Sequence, residues 1–183
     1  MARDFSLFLG EMIRRPGEVG AVAPSSAKTA QWMCEGLEKV QGPIVEIGPG
    51  TGSFTRAILE HGVAPERLTL LEMGERFCDQ LREKFPSVNV LNRPGQDIDK
   101  IGINNIGAVI SGVPMLSRPE LQRSVLEPSF RVMAPGASFT QFTYSIRTPF
   151  GDDLLADLGL TSRKLATVWG NLPPATIYRI ERA

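Results

Sequence analysis

The chain has 183 residues, a length that suits one domain with a sizeable core. Twenty basic residues balance twenty acidic ones, which argues against a protein that depends on long phosphate backbones. Two isolated cysteines and one histidine argue against a zinc site and a disulfide framework, so we expect an intracellular protein without a metal.

The N-terminal segment, residues 1–16, has the pattern of an amphipathic helix. Apolar residues recur at i, i+3, i+4, i+7 and i+8, which places them on one helix face: Phe5, Phe8, Leu9, Met12 and Ile13. Arg14 and Arg15 form a basic flank before Pro16 ends the pattern. The pattern fits a helix packed on the domain, and it also fits an interfacial membrane helix.

Ser25 or Ser26 is a natural N-cap for a second helix, which we expect to run to about Val40. Strand-like and helix-like stretches then alternate. Predicted strands cover 42–48, 67–72, 88–92, 107–112 and 136–144, and predicted helices cover 51–62, 74–85 and 118–133, with Pro128 as a kink or break. Two late strands, 162–170 and 176–180, have no helix between them. We therefore predict one α/β domain over 1–183, with a doubly wound, mainly parallel sheet of seven strands and an antiparallel pair at its C-terminal edge.

The pattern Glu46-x-Gly48-x-Gly50-x-Gly52 follows the first predicted strand and opens a helix, where backbone N–H groups face a ligand. Its third glycine comes one residue earlier than in the dinucleotide fingerprint G-x-G-x-x-G, and it lacks the lysine of a phosphate loop. The spacing therefore disfavours dinucleotides and strongly bound phosphates.

Glu72 closes the second predicted strand, where a carboxylate accepts hydrogen bonds from ribose hydroxyls in Rossmann-type folds. The glycine spacing and this carboxylate together indicate a nucleoside without a pyrophosphate. S-adenosylmethionine (SAM) fits this description. Its ribose would meet Glu72 and its amino-acid end would lie at the glycine loop, with Glu46 near the ammonium group.

The stretch "VEIGPGTGSFTRAILEHG" (45–62) resembles motif I of the class I SAM-dependent methyltransferases, a style shared by rRNA adenine dimethyltransferases and bacterial phospholipid N-methyltransferases. Four further segments resemble the bacterial phosphatidylethanolamine N-methyltransferase family in chain order: "GAVAPSS" (20–26), "SGVPMLS" (111–117), "QFTYS" (141–145) and "NLPPA" (171–175). The resemblance covers nearly the whole chain. It implies a Rossmann-like fold, SAM as cofactor, and methylation of phosphatidylethanolamine and its mono- and dimethyl derivatives toward phosphatidylcholine.

An enzyme similar to the rRNA adenine N6-dimethyltransferases is the alternative. That family would carry Asn-Leu-Pro-Tyr/Phe after strand four, where this chain reads Ser111-Gly112-Val113-Pro114. It also usually carries a C-terminal RNA-binding domain, for which the chain ends too soon. We therefore expect no nucleic-acid partner.

A third hypothesis, a SAM-binding protein without activity, rests on one departure from both families. Where they show Gly-Asp-Ala near the adenine amine, this chain has Gly95-Gln96-Asp97.

The resemblance assigns further cofactor-binding residues. Either Gln96 replaces the usual aspartate, or Asp97 reaches round to the adenine. Met73 either packs on the adenine or belongs to the core. The residues that remain in the predicted cofactor set are Ser25, Ser26 and Ser111.

Candidates for the acceptor side, in a catalytic role, lie near the predicted strand ends. They are Ser111, Tyr144 and Asn171, and the tyrosine ring would also offer a face to a cationic amine. His61, at the end of a helix, is expected to be structural.

A lipid acceptor lies in a bilayer, so we expect residues 3–15 to dock on an anionic membrane surface. The protein would then associate peripherally with the inner face of the cytoplasmic membrane. The number of methylations, other amine lipids such as ornithine lipids, and the oligomeric state stay open.

Overall fold

The computed structural model describes residues 27–170 and 174–183. Within these residues a seven-stranded sheet has the order β3-β2-β1-β4-β5-β7-β6. The strands are β1 (Ile44–Ile47), β2 (Leu68–Glu72), β3 (Asn89–Asn92), β4 (Ile106–Ser111), β5 (Met133–Thr143), β6 (Leu160–Val168) and β7 (Ala175–Arg182). Strands β1 to β5 are parallel to one another, and β7 is antiparallel to both β5 and β6. The predicted fold class, including the antiparallel C-terminal edge pair, is confirmed.

Helices cover both faces of the sheet. They are α1 (Ala27–Met33), α2 (Ser53–Glu60), α3 (Glu75–Lys84), α4 (Pro119–Val132) and α5 (Asp152–Asp157). Helices α1, α2 and α3 pack on one face, in a core cluster that contains Ile44, Leu70 and Ile110. Helices α4 and α5 pack on the opposite face, with Val45 and Val109. Every residue of β1 and β4 is buried, because strands covered on both faces need continuous apolar runs.

The parallel strands set the position of the site. The carboxyl ends of β1, β2, β4 and β5 lie on the same side of the sheet. We call this row of strand ends the carboxyl edge. Strand β6 ends there too, because it is antiparallel to β7, which is antiparallel to β5. Ligands of open α/β sheets bind at this edge.

The helix predicted to run to Val40 is shorter than expected. Helix α1 ends at Met33, and a separate 3-10 helix covers Leu37–Lys39. Gly36 between them has a φ of +83°, a left-handed conformation that stops an α-helix. The prediction is therefore wrong beyond Met33. The helix predicted over 1–16 and the proposed N-caps Ser25 and Ser26 lie outside the described residues.

Smaller differences concern the second half of the chain. Strand β5 begins at Met133 rather than at residue 136, and α4 continues through the buried Pro128. The six-residue helix α5 was not predicted. In the described part of the chain, no helix is long and apolar enough to cross a membrane.

Candidate active site

The glycine loop between β1 and α2 has three left-handed residues in alternation. The φ angles of Gly48, Gly50 and Gly52 are +70°, +54° and +85°. A Cβ at Gly48 would lie 2.8 Å from a methyl of Val113, and one at Gly52 would lie 2.6 Å from the ring of Phe85. A Cβ at Gly50 would meet nothing within 4 Å. Two of the glycines are therefore required by packing, and the middle one faces open space in which a ligand has room.

Glu72 is fixed at the end of β2 by the backbone. Its Oε2 accepts a hydrogen bond from the N–H of Gly50 at 3.1 Å, and its Oε1 accepts one from the N–H of Gly74 at 2.8 Å. Asn92 also donates to the carbonyl oxygens of Glu72 and Met73, at 2.9 Å each. A carboxylate has about four acceptor positions, so about two remain for the hydroxyls of a ribose.

Met73 follows this carboxylate and is 71% exposed. The structure therefore contradicts the interpretation of Met73 as a core residue. Its contact with an adenine remains a prediction, and its position beside Glu72 suits that contact.

Glu46 is completely buried in β1. Its Oε2 accepts a hydrogen bond from the hydroxyl of Thr55 at 2.6 Å, whereas its Oε1 has no hydrogen-bond partner within the described residues. Burial raises the pKa of Glu46 to about 8, and the charge of Glu72 acts in the same direction, while the Thr55 hydrogen bond opposes both. A buried acceptor without a donor is costly, and the ammonium group of SAM is a donor of matching charge. The residues present therefore fit SAM.

Gln96 and Asp97 lie in a 3-10 helix, Gly95–Lys100, after β3. A Cβ at Gly95 would lie 2.4 Å from a methyl of Ile47, so this segment packs directly on the end of β1. Lys100 donates to Asp97 at 2.6 Å, and this hydrogen bond lowers the pKa of the Asp97 carboxyl. No hydrogen bond of the Gln96 side chain is found within the described residues. Of the two open alternatives, this arrangement favours Gln96 as the adenine contact, which stays a prediction.

Gln141, in β5, supports the loop after β4. It is the neighbour of Ser111 in the register between β4 and β5. The buried Gln141 amide donates to the carbonyl oxygen of Val113 at 2.8 Å and to that of Phe142 at 2.6 Å. The N–H of Val113 donates to the Ser111 hydroxyl at 3.4 Å. Ser111 is fully buried at this point, directly under the loop that would face an acceptor.

An aromatic row connects the glycine loop with the end of β5. The ring of Phe54, in α2, lies 5.5 Å from Phe142, and Phe142 lies 4.6 Å from Tyr144, both edge to face. The Phe54 ring also lies 3.8 Å from the position a Cβ would take at Gly112. Tyr144 is half-buried at the end of this row. Such a row can stabilise a cationic amine next to the cofactor.

Three of the remaining predicted residues cannot be placed relative to this site. Asn171, Ser25 and Ser26 lie outside the described residues. His61 follows α2 at the opposite edge of the sheet, and its Nε2 lies 3.1 Å from the Glu38 carboxylate. Among the described residues, no group of histidine, cysteine, aspartate and glutamate side chains is arranged to hold a metal ion.

Sequence reasoning missed the residues that support the site. Thr55, Gln141 and the aromatic pair Phe54 and Phe142 were not predicted to have a role. Phe54 and Thr55 follow the glycine loop directly and Gln141 opens the segment "QFTYS", so their proximity to motifs was the available signal.

The chain is similar in sequence to a lipid-modifying enzyme over most of its length. The chain is 31% identical over 150 residues to an ornithine lipid N-methyltransferase of Singulisphaera acidiphila, covering 77% of this chain and 78% of that protein. A ribosomal RNA small subunit methyltransferase A of Prosthecochloris aestuarii is 43% identical over only 56 residues, which is 20% of its own length. No protein-family model matches the chain.

Solved structures of methyltransferases share the fold. A 1,6-didemethyltoxoflavin-N1-methyltransferase of Burkholderia thailandensis, solved with S-adenosylhomocysteine, superimposes with a TM-score of 0.67 over 100% of this chain and 89% of that one, at 14% identity. A precorrin-6y C5,15-methyltransferase of Geobacter metallireducens gives 0.62 over 85% and 87%, at 14% identity.

Proposed function

The chain belongs to the class I SAM-dependent methyltransferases, in the same family as the ornithine lipid N-methyltransferase, and we propose that it methylates the amine of a membrane lipid. It is an enzyme and SAM is its cofactor. The observation that carries the proposal is the similarity to a lipid enzyme over 77% of the chain. The aromatic row, which runs from the glycine loop to Tyr144, agrees with an acceptor whose neutral amine becomes a cation when it accepts a methyl group.

When bound, SAM would supply an electrophilic methyl group for in-line transfer to the acceptor amine. The protein's own residues then have two tasks, alignment and removal of a proton. Gln141 and Val113 hold the loop over β4, which fixes the acceptor side relative to the glycine loop. A primary amine has a pKa of about 10 and must lose a proton before it attacks. Ser111 and Tyr144 are the hydroxyl groups at the strand ends that can relay that proton toward solvent.

Two acceptors compete within this proposal. Phosphatidylethanolamine, with methylation toward phosphatidylcholine, is the acceptor that the sequence motifs predict. An ornithine lipid is the second candidate, because the relative that covers most of this chain is named for it. Both present a primary amine next to the polar surface of a bilayer, so the same site chemistry serves either one.

The test is to incubate the full chain with methyl-labelled SAM and vesicles that contain phosphatidylethanolamine, an ornithine lipid, or neither, with total RNA as a fourth substrate. Label in an amine lipid is the expected result, and the faster of the two lipids is the acceptor. Label in RNA alone would favour the rRNA-type alternative. Label in none of the four would contradict an active methyltransferase.

A matched pair of variants controls for contaminating activity. Glu72→Gln removes the carboxylate charge at the ribose position, and we expect at least a tenfold higher Kd for SAM and a parallel loss of label. Glu75→Gln makes the same change at an exposed residue three positions later, in the first turn of α3. It should leave both quantities unchanged.

We further propose that residues 3–15 dock the enzyme on the anionic inner face of the cytoplasmic membrane. This segment lies outside the described residues, and its amphipathic pattern with Arg14 and Arg15 supports the proposal. Deletion of residues 1–15 is expected to weaken sedimentation with anionic vesicles. Undiminished sedimentation would refute a docking role for the segment.

A further inference from the structure

Besides Met73, three large apolar side chains among the described residues are exposed at the carboxyl edge, each after a different strand. Leu116 follows β4 and is 41% exposed, Ile146 follows β5 and is 60% exposed, and Trp169 follows β6 and is 72% exposed. Neighbouring strands lie about 4.8 Å apart, so the ends of β4 and β6, three spacings apart, are about 14 Å from each other. Exposed apolar residues that gather on one edge indicate a contact surface.

The backbone beneath two of these side chains is firmly held. Met115 is completely buried, so the turn that contains it directs its neighbour Leu116 outward. The Tyr178 hydroxyl donates to the carbonyl oxygen of Ile146 at 2.9 Å, and Phe150, four residues later, is 1% exposed. Leu116 and Ile146 are therefore presented to solvent by anchored segments.

The loops that carry these side chains contain basic residues. The described stretches 112–118, 144–151 and 169–170 contain Arg118 and Arg147 and no acidic residue. Both arginines are exposed, and neither forms an ion pair within the described residues. Glu120 and Asp152, the next acidic residues after the first two stretches, lie in the first turns of α4 and α5.

We propose that Leu116, Ile146 and Trp169, flanked by Arg118 and Arg147, form a docking surface for an anionic lipid bilayer, which we call the edge surface. Its apolar side chains enter the headgroup region, where tryptophan is favoured, and its arginines face lipid phosphates. The choice of a bilayer as occupant rests on the proposed function, and the unpaired cations agree with an anionic surface. The edge surface surrounds the acceptor side of the site, so a lipid amine could reach Tyr144 without leaving the membrane.

The two tryptophans of the chain provide a matched pair of probes. Trp32→Phe leaves Trp169 as the reporter, and Trp169→Phe leaves Trp32, in α1, as the control. With phosphatidylglycerol vesicles that carry brominated acyl chains, we expect Trp169 emission to fall by about half and Trp32 emission to stay unchanged. Bound protein whose Trp169 is not quenched, or whose Trp32 is quenched equally, would overturn the proposal.

A second measurement uses vesicle affinity. We expect each of Leu116→Ser and Ile146→Ser to weaken binding of the full chain to phosphatidylglycerol vesicles about tenfold. Arg147→Glu should weaken it too, whereas Lys39→Glu, the same charge change before β1 at the opposite edge, should not. Unchanged binding in the first two variants would contradict the edge surface.

Failure of docking and failure of the proposed function are separable. Methylation of an amine lipid in non-ionic detergent micelles tests the function without a bilayer, and the Leu116→Ser/Ile146→Ser protein should retain most of that activity. Absence of micellar methylation in the wild type would refute the function and leave the quenching result interpretable.

Two other occupants are also distinguished. If the Leu116→Ser/Ile146→Ser protein loses a dimer and keeps full vesicle binding, the surface belongs to a second copy of the chain. If deletion of residues 1–16 shifts Trp169 emission to the red and vesicles do not quench it, the surface belongs to that segment.

Discussion

The buried carboxyl group of Glu46 makes the stability of the protein depend on pH in a defined direction. Its pKa is raised from an ordinary 4.5 to about 8 in the folded state, chiefly by burial. Between these two values the folded protein keeps a proton that the unfolded chain releases. Unfolding therefore becomes easier as pH rises from about 4.5 to about 8, and the effect levels off above that range.

The magnitude follows from the two pKa values. One pH unit corresponds to about 1.36 kcal/mol, so a rise from pH 6 to pH 8 is expected to remove about 2 kcal/mol of unfolding free energy through Glu46 alone. Glu46→Gln keeps the shape and the hydrogen bond from Thr55, and it has no proton to release. Urea denaturation at several pH values should show this loss in the wild type relative to Glu46→Gln, while Glu60→Gln, at an exposed position of α2, should follow the wild type.

The same carboxyl group should couple SAM binding to proton release. If the ammonium group of SAM pairs with Glu46, binding near pH 7 is expected to release about 0.9 proton, the fraction bound at a pKa of about 8. Calorimetry in two buffers with different ionisation enthalpies measures this number, which should be near zero for Glu46→Gln. Two results would refute the raised pKa of Glu46 and its pairing with SAM. One is a wild-type stability that does not change with pH relative to Glu46→Gln, and the other is the absence of proton release when SAM binds.

Five further substitutions test the site. Gly52→Ala is expected to cost about 3 kcal/mol of unfolding free energy, because its Cβ would lie 2.6 Å from an aromatic ring and its φ is +85°. Gly50→Ala, whose Cβ meets open space, should cost only about 1 kcal/mol and weaken SAM binding; equal denaturation midpoints would contradict this. Gln141→Leu should lower kcat about tenfold with little change in the Kd for SAM, and a parallel loss of both would argue against a role confined to the acceptor loop. Tyr144→Phe and Ser111→Ala should lower turnover at an unchanged Tm, and unaltered kinetics in both would exclude them from the site.

Most of the fold was predictable because its signals are local. Buried parallel strands give continuous apolar runs, and glycines mark the ends of some elements, as Gly48 does after β1 and Gly62 does after α2. The errors fall where local signals are weak or ambiguous. Helix α5 has six residues, too few turns for a clear period, and the apolar pattern after Ser26 continued past Gly36, whose left-handed conformation ends the helix.

The site was predictable only where chain order determines position. The glycine loop and Glu72 end neighbouring parallel strands, so their proximity follows from the topology. The role of Gln141 depends on a hydrogen bond to Val113, 28 residues away, which no local pattern encodes. Likewise, the sequence left Gln96 and Asp97 equivalent, and the ion pair of Asp97 with Lys100 is what distinguishes them.

The site has a cofactor half and an acceptor half, and different contacts hold each of them in place. This difference helps to interpret the sequence similarities to other methyltransferases. In the glycine loop, Gly52 packs against the core residue Phe85 and Gly48 packs against Val113. The loop after β4, which carries Val113 and the acceptor half, is held by two side-chain amides: that of Gln141 donates to the carbonyl oxygen of Val113, and that of Gln122 donates to the carbonyl oxygen of Met115. The match to an rRNA methyltransferase spans 56 residues, which is too short to contain both the glycine loop and Gln141. A similarity that continues through most of the chain must also include the acceptor half, and for this reason the lipid enzyme is the better guide to the substrate.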